Sequence, residues 1–109
     1  MEHEIFIIDN NCETIELTKE MFKSEKKYRF KNVKTKNLEY ALKSIPELII
    51  INEDNIDIPI IDICNQIRSD DDNSITPIIV ISSKVETVIP LLDGVTGLNC
   101  FIPIFYFSF

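Results

Sequence analysis

Leu48-Ile49-Ile50-Ile51-Asn52 decides how this chain reads. Four apolar residues stand in a row, three of them β-branched, and lead straight into an amide. A strand with one face in water alternates apolar and polar residues. A continuous run means that both faces are covered, as in a parallel sheet between helices. Pro46 breaks the chain ahead of this run, and a polar turn follows it. Two other stretches repeat the pattern: Ile5-Phe6-Ile7-Ile8 stops at Asp9-Asn10, and Ile78-Ile79-Val80-Ile81, opened by Thr76-Pro77, stops at Ser82-Ser83.

Helical spacings lie between these runs. Ile15, Leu17, Met21 and Phe22 predict a helix over about 13–25, and Ile60, Ile61, Ile63, Cys64 and Ile67 predict another that ends at Arg68. Residues 28–33 alternate Tyr, Phe and Val with Arg, Lys and Asn, which suits a second strand nearer an edge. A short helix is expected over 38–44. A weaker one is expected over 85–92, kinked or shortened by Pro90. Gly94 and Gly97, the only glycines, punctuate the region after it, and Phe101–Phe105 read as a fifth strand. The order βαβαβαβαβ implies a parallel sheet with helices on both faces and right-handed crossovers.

The 109 residues suit one domain, 1–109, with 45% apolar residues for a core and 27% charged residues for a surface. A net charge of −7 repels phosphate backbones and anionic lipid, so neither nucleic acid nor a membrane surface is an expected partner. No run approaches the roughly 20 apolar residues of a membrane helix. The acidic start, with only four apolar residues after it, is not a signal peptide, and a cytoplasmic location is expected. Cys12, Cys64 and Cys100 are odd in number and far apart, which suits reduced cysteines in or near the core rather than a disulfide framework or zinc site. Asp70-Asp71-Asp72 reads as a solvated loop, because three adjacent residues cannot all face one ion. His3 is expected ahead of the first strand, exposed and without a catalytic partner.

In a doubly wound sheet, function gathers beyond the carboxyl ends of the strands. Those ends are Asp9, Asn10, Asn52, Ser82 and the stretch after Phe101, scattered in sequence but adjacent in such a fold.

Several segments resemble the response-regulator receiver family, which includes the single-domain chemotaxis regulator. Ile5 to Asn10 looks like the family's first strand with its acidic pair. Pro46 to Asn52 looks like its third strand, whose last residue is normally the phosphorylated aspartate. Ile63 to Arg68 looks like the following helix, and Thr76 to Ser83 like the fourth strand with its switch hydroxyl. Gly97 to Ile104 looks like the segment that carries the switch aromatic and a lysine. The resemblance covers the chain to about Tyr106. It implies a flavodoxin-like (CheY-like) five-stranded sheet in the order 2-1-3-4-5.

Transfer of a phosphoryl group to a carboxylate needs a nucleophilic aspartate, acids holding Mg²⁺, and a hydroxyl and an ammonium on the phosphoryl oxygens. At the positions the resemblance assigns, Asn52 replaces the acceptor and Asn10 the second acid. Ile104 replaces the lysine, and Phe101 stands at the switch aromatic without a hydroxyl. Ile56 and Ile60 stand where the family's loop has proline and glycine. Ser82 alone is intact. The expected protein is a degenerate receiver: no enzyme, no resident cofactor, and a phosphorylation-independent interaction module in two-component or phosphorelay signalling. The alternative is a phosphoacceptor using a displaced acid, Asp54 or Asp9, with Mg²⁺. Asp9 and Asp54 are weak metal candidates, and Glu53 and Asp54 are expected to be solvated. A small-ligand binder of the flavodoxin type would want a glycine-rich loop after the first strand, and residues 9–13 contain none.

A receiver ends on a fifth helix, expected to be missing or truncated here because the four residues Tyr106 to Phe109 are too short for it, and the stretch from Phe101 to Phe109 is almost wholly apolar. That tail, with the fourth-helix and fifth-strand face, is expected to meet a protein partner or a second copy. Folding back over the bare sheet face, or descent from a longer regulator, would also account for its composition. The basic run from Lys23 to Lys36 is expected to be a solvated edge rather than a nucleic-acid site, with docking of an acidic partner as the alternative.

Overall fold

A computed structural model describes residues 3–83 and 100–102 of the chain, the last three by their backbone. Five strands, β1 (His3–Ile8), β2 (Tyr28–Val33), β3 (Leu48–Asn52), β4 (Ile78–Ile81) and β5 (Cys100–Ile102), form one sheet in the order β2-β1-β3-β4-β5. Every neighbouring pair is parallel. This is the doubly wound order expected, with β2 at an edge. The expected fourth helix, the two glycines and the tail from Pro103 lie outside the described residues.

The continuous apolar runs do what their composition demands. Phe6, Ile8, Ile49, Ile51, Ile78 and Val80 lie on one face of the sheet with no solvent exposure. Helices α2 (Leu38–Ala41) and α3 (Ile60–Ser69) seal that face with Leu38, Ala41, Ile60, Ile63, Cys64 and Ile67. Full burial of such a side chain contributes roughly 1.5–3 kcal/mol, so this layer is the main source of stability. Burial also pushes the Cys64 thiol up to about 11, the Arg68 guanidinium opposing and Glu53 reinforcing it.

Helix α1 (Glu13–Met21) stops short of the expected residue 25. Phe22 N–H still bonds Thr18 O, and Glu25 N–H then turns back to Phe22 O, because the lysine-rich segment that follows has nothing to bury. Of the apolar residues that set the helical spacing, Leu17 and Met21 are exposed, and the sheet side of this segment is made by Thr14, Ile15, Thr18 and, just past α1, Phe22. Helix α2 is shorter than expected too. It is entered through a 3₁₀ turn at Thr35–Asn37 and ends in tightened bonds from Lys43 N–H to Tyr40 O and from Ser44 N–H to Ala41 O. Ile61, counted in the α3 stripe, faces outward.

His3 is the first residue of β1 rather than ahead of it. It is half-buried, with Nδ1 2.6 Å from Glu47 Oε1, a partner 44 residues away. The three aspartates build a loop. Asp70 Oδ1 accepts from Asp72 N–H and from the amide of Asn73, whose side chain also reaches Leu42 O at 3.0 Å. Asp71 and Asp72 are exposed. No helix among the described residues is long and apolar enough to cross a membrane.

Candidate functional site at the carboxyl edge of the sheet

The register sets the site. Asn52 pairs with Ile81 across β3 and β4, and Ile81 pairs with Ile102, so the ends of β1, β3 and β4 lie side by side. Asp9, Asn52 and Ser82 come together there, all buried. Phe101 lies in β5 opposite Val80, and Ile104 lies outside the described residues.

Asp9 is engaged with the start of α1. Its Oδ1 accepts from Asn11 N–H at 2.9 Å and its Oδ2 from Thr14 N–H at 2.8 Å, the second a donor that the helix leaves open. Burial alone would raise its pKa. The Thr14 N–H and hydroxyl, the Asn11 N–H and Asn55 outweigh that burial and hold the carboxyl below its ordinary value of 3.8. Cys12, at the helix cap, takes a left-handed φ of 57°, a strained conformation for a side chain with a Cβ.

Asn52 uses both ends of its amide. Nδ2 donates to Thr14 Oγ1 at 2.8 Å, and Oδ1 accepts from Asp54 N–H at 3.1 Å. This oriented amide opens the 3₁₀ turn Glu53–Asn55. Asn10 binds the neighbouring loop. Its Oδ1 accepts from Thr35 N–H at 2.8 Å, and its Nδ2 reaches Thr35 Oγ1 and Asp57 Oδ1. Thr35 Oγ1 donates to Asp57, and that bond is the main reason the Asp57 carboxyl lies below its usual range. Asn11 and Asn55 link side chains, and Asn55 continues to Glu13. Three loops from three strands are thus laced by amides and hydroxyls.

Glu53 corrects the expectation of two solvated carboxylates. It is buried and accepts a hydrogen bond from Ser82 Oγ. Asp54 is half-buried, and its Oδ1 accepts from Ser83 Oγ at 2.8 Å. The nearest sequence signal for Glu53 was the carboxylate-hydroxyl spacing to Ser82, 29 residues on, which only the strand register turns into a contact. Ile56 packs against the core beside Ile58, and Ile60 is buried.

Both oxygens of Asp9 already accept backbone N–H groups, Asn10 and Asn52 are neutral, and Glu53 faces Ser82. Among the described residues no group of three or more His, Cys, Asp or Glu side chains is placed to hold a metal.

No family model matches the sequence, and no curated protein matches it. Solved structures do match. A signal receiver domain of a two-component histidine kinase from Clostridium thermocellum aligns over 97% of this chain and 88% of its own, at 20% identity and a TM-score of 0.77. A phosphorylated cyanobacterial phytochrome response regulator aligns over 94% and 80%, at 22% identity and a TM-score of 0.74. The receiver domain of a sensor histidine kinase from Pseudomonas aeruginosa, with a magnesium ion coordinated in its active-site cleft, aligns over 98% and 88%, at 17% identity and a TM-score of 0.72. The sheet order, the strand-end cluster and these alignments agree: the chain has the fold of the response-regulator receiver domains.

Proposed function

We propose that residues 1–109 form a degenerate receiver domain that works in two-component or phosphorelay signalling as a protein-interaction module, without being phosphorylated. The observation that carries this reading is Asn52. It stands at the end of β3, where the resemblance assigns the acceptor, and its amide is tied to Thr14 and to Asp54 N–H. An amide is neutral and a poor nucleophile, so it forms no acyl phosphate. Asp9, the acid that would hold Mg²⁺, instead accepts N–H groups of its own loop and of the first turn of α1. Ile104, at the lysine position, brings no charge to a phosphoryl group. Replacing acids by amides also removes like-charge repulsion from a tight cluster. The module's contacts then fall to its surfaces, the fourth-helix and fifth-strand face and the apolar tail among them.

The second reading, phosphorylation on a displaced acid, is favoured by one contact, that of Asp54 with Ser83. Intact mass after incubation with acetyl phosphate and Mg²⁺, beside an active receiver as control, separates the two. The expected result is no change in this chain while the control is labelled. A gain of one phosphoryl group would overturn the proposal, and its loss in Asp54→Ala or in Asp9→Ala would name the acceptor.

A further inference from the structure

The charge of this chain is divided rather than spread. Residues 19–36 hold eight of the eleven lysines and arginines against two glutamates, and the rest of the chain holds three cations against sixteen acids. The topology brings both kinds of charge to one edge of the sheet. In a parallel sheet, the loops that enter β2, β3 and β4 all lie at the amino ends of the strands. Along that edge, in the order β2-β1-β3-β4-β5, the basic loop lies before the edge strand β2 and the acidic loop before β4, on the far side of β1 and β3. Three strand spacings, ~14 Å, separate the two strands.

Each end also carries apolar surface. At the basic end, Lys19, Phe22, Lys23, Lys26, Tyr28 and Arg29, with Glu25 as the one acid, line an open hollow of ≈ 440 Å³. Phe22 and Tyr28 are exposed, their rings meeting edge to face at 6.2 Å. At the acidic end, Ile75 is 84% exposed beside Asp71 and Asp72, and Ile45, in the loop before β3, is 60% exposed. An isoleucine held in water with acids behind it has the chemistry that an aromatic hollow rimmed by lysines accepts.

We infer that this edge binds a second copy of the chain, the Ile75 and Asp71-Asp72 loop of each protomer entering the Phe22-Tyr28 hollow of the other. A two-fold axis across the edge, near β1 and β3, makes the contact twice. An isologous interface has this property: a surface whose two halves complement each other complements itself under a dyad. Two short loops on each side bury little area, so the pair belongs among the weak, small interfaces, below about 1,200 Å². Much of the attraction is between exposed charges and is screened over ~10 Å at 0.1 M salt.

Sedimentation velocity across a concentration series, with the full chain at low and at high salt, tests the proposal. A dimer is expected at low salt, weakened at least tenfold at 0.5 M salt, where the screening length falls to about 4 Å. Lys23→Glu/Lys26→Glu and Asp71→Lys/Asp72→Lys, all at exposed positions, are each expected to be monomeric and folded by circular dichroism. Mixed one to one, the two variants now offer opposite charges and are expected to form a heterodimer. A monomeric wild type at all concentrations, or a mixture that stays monomeric, would overturn the inference. So would an association that both double variants retain, because it would lie on another surface such as the apolar tail.

Discussion

Alternate residues of β3 meet two different worlds. Ile49 and Ile51 point into the layer under α2 and α3 and are fully buried, whereas Leu48 and Ile50, on the α1 side, are only half-buried. The same split runs through β4, where Ile78 and Val80 are sealed and Ile79 and Ile81 are not. On the α1 side the aliphatic surface continues into a trough of ≈ 250 Å³ between Thr18, Phe22, Tyr28 and Ile50. A continuous apolar run therefore reports that a strand is central. It does not report how well each face is covered. Coverage depends on helices whose length and tilt are set elsewhere in the chain.

Truncations on the two faces sharpen the contrast. Phe6→Ala, in the sealed layer, is expected to cost about 3–5 kcal/mol in urea unfolding of the full chain, since a large cavity opens among rigid neighbours. Ile50→Ala, on the trough, is expected to cost less than half of that. Equal costs would show that the α1 side is as tightly packed as the other.

The carboxyl edge gives a smaller effect with a pH signature. Asp9→Ala removes the acceptor of the Thr14 N–H in the first turn of α1 and is expected to cost about 0.5–2 kcal/mol near neutral pH, the usual range for a lost helix cap. Because the folded pKa of Asp9 lies below its ordinary 3.8, the unfolded chain binds more protons as pH falls toward that value. The contribution of Asp9 is thus whole above it and drains away as pH drops through the lower folded value. Acid unfolding of the variant should lose that part of its slope, and an unchanged acid limb would break the assignment. The smallest effect belongs to the outer stripe of α1: Leu17→Ala and Met21→Ala, at residues 56% and 69% exposed, are expected to stay within about 0.5 kcal/mol of wild type.

The strands were legible because their signal is local. Runs of isoleucine end at polar residues, and β2 and β4 fall where the sequence put them. The end of α1 was not legible, because Met21 and Phe22 extend a helical spacing that no helix turn has to obey once the lysines begin. At the site, the cluster of Asp9, Asn52 and Ser82 followed from strand order alone. The burial of Glu53 did not, since a carboxylate in a polar turn reads as solvated until its hydroxyl partner is known. The lacing of Asn10 to Thr35 and Asp57, over 25 and 47 residues, has no local trace either.

The strand order also bears on how the chain is made. With β1 between β2 and β3, and β4 and β5 following outward, each strand after the first finds its edge already present when it leaves the ribosome. β2 takes one side of β1, β3 the other, and β4 and β5 extend the second side in turn. No finished pair has to open to admit a later strand. Such a sheet can grow in the direction of synthesis, and its most apolar strands are each left waiting for only one crossover before they are paired.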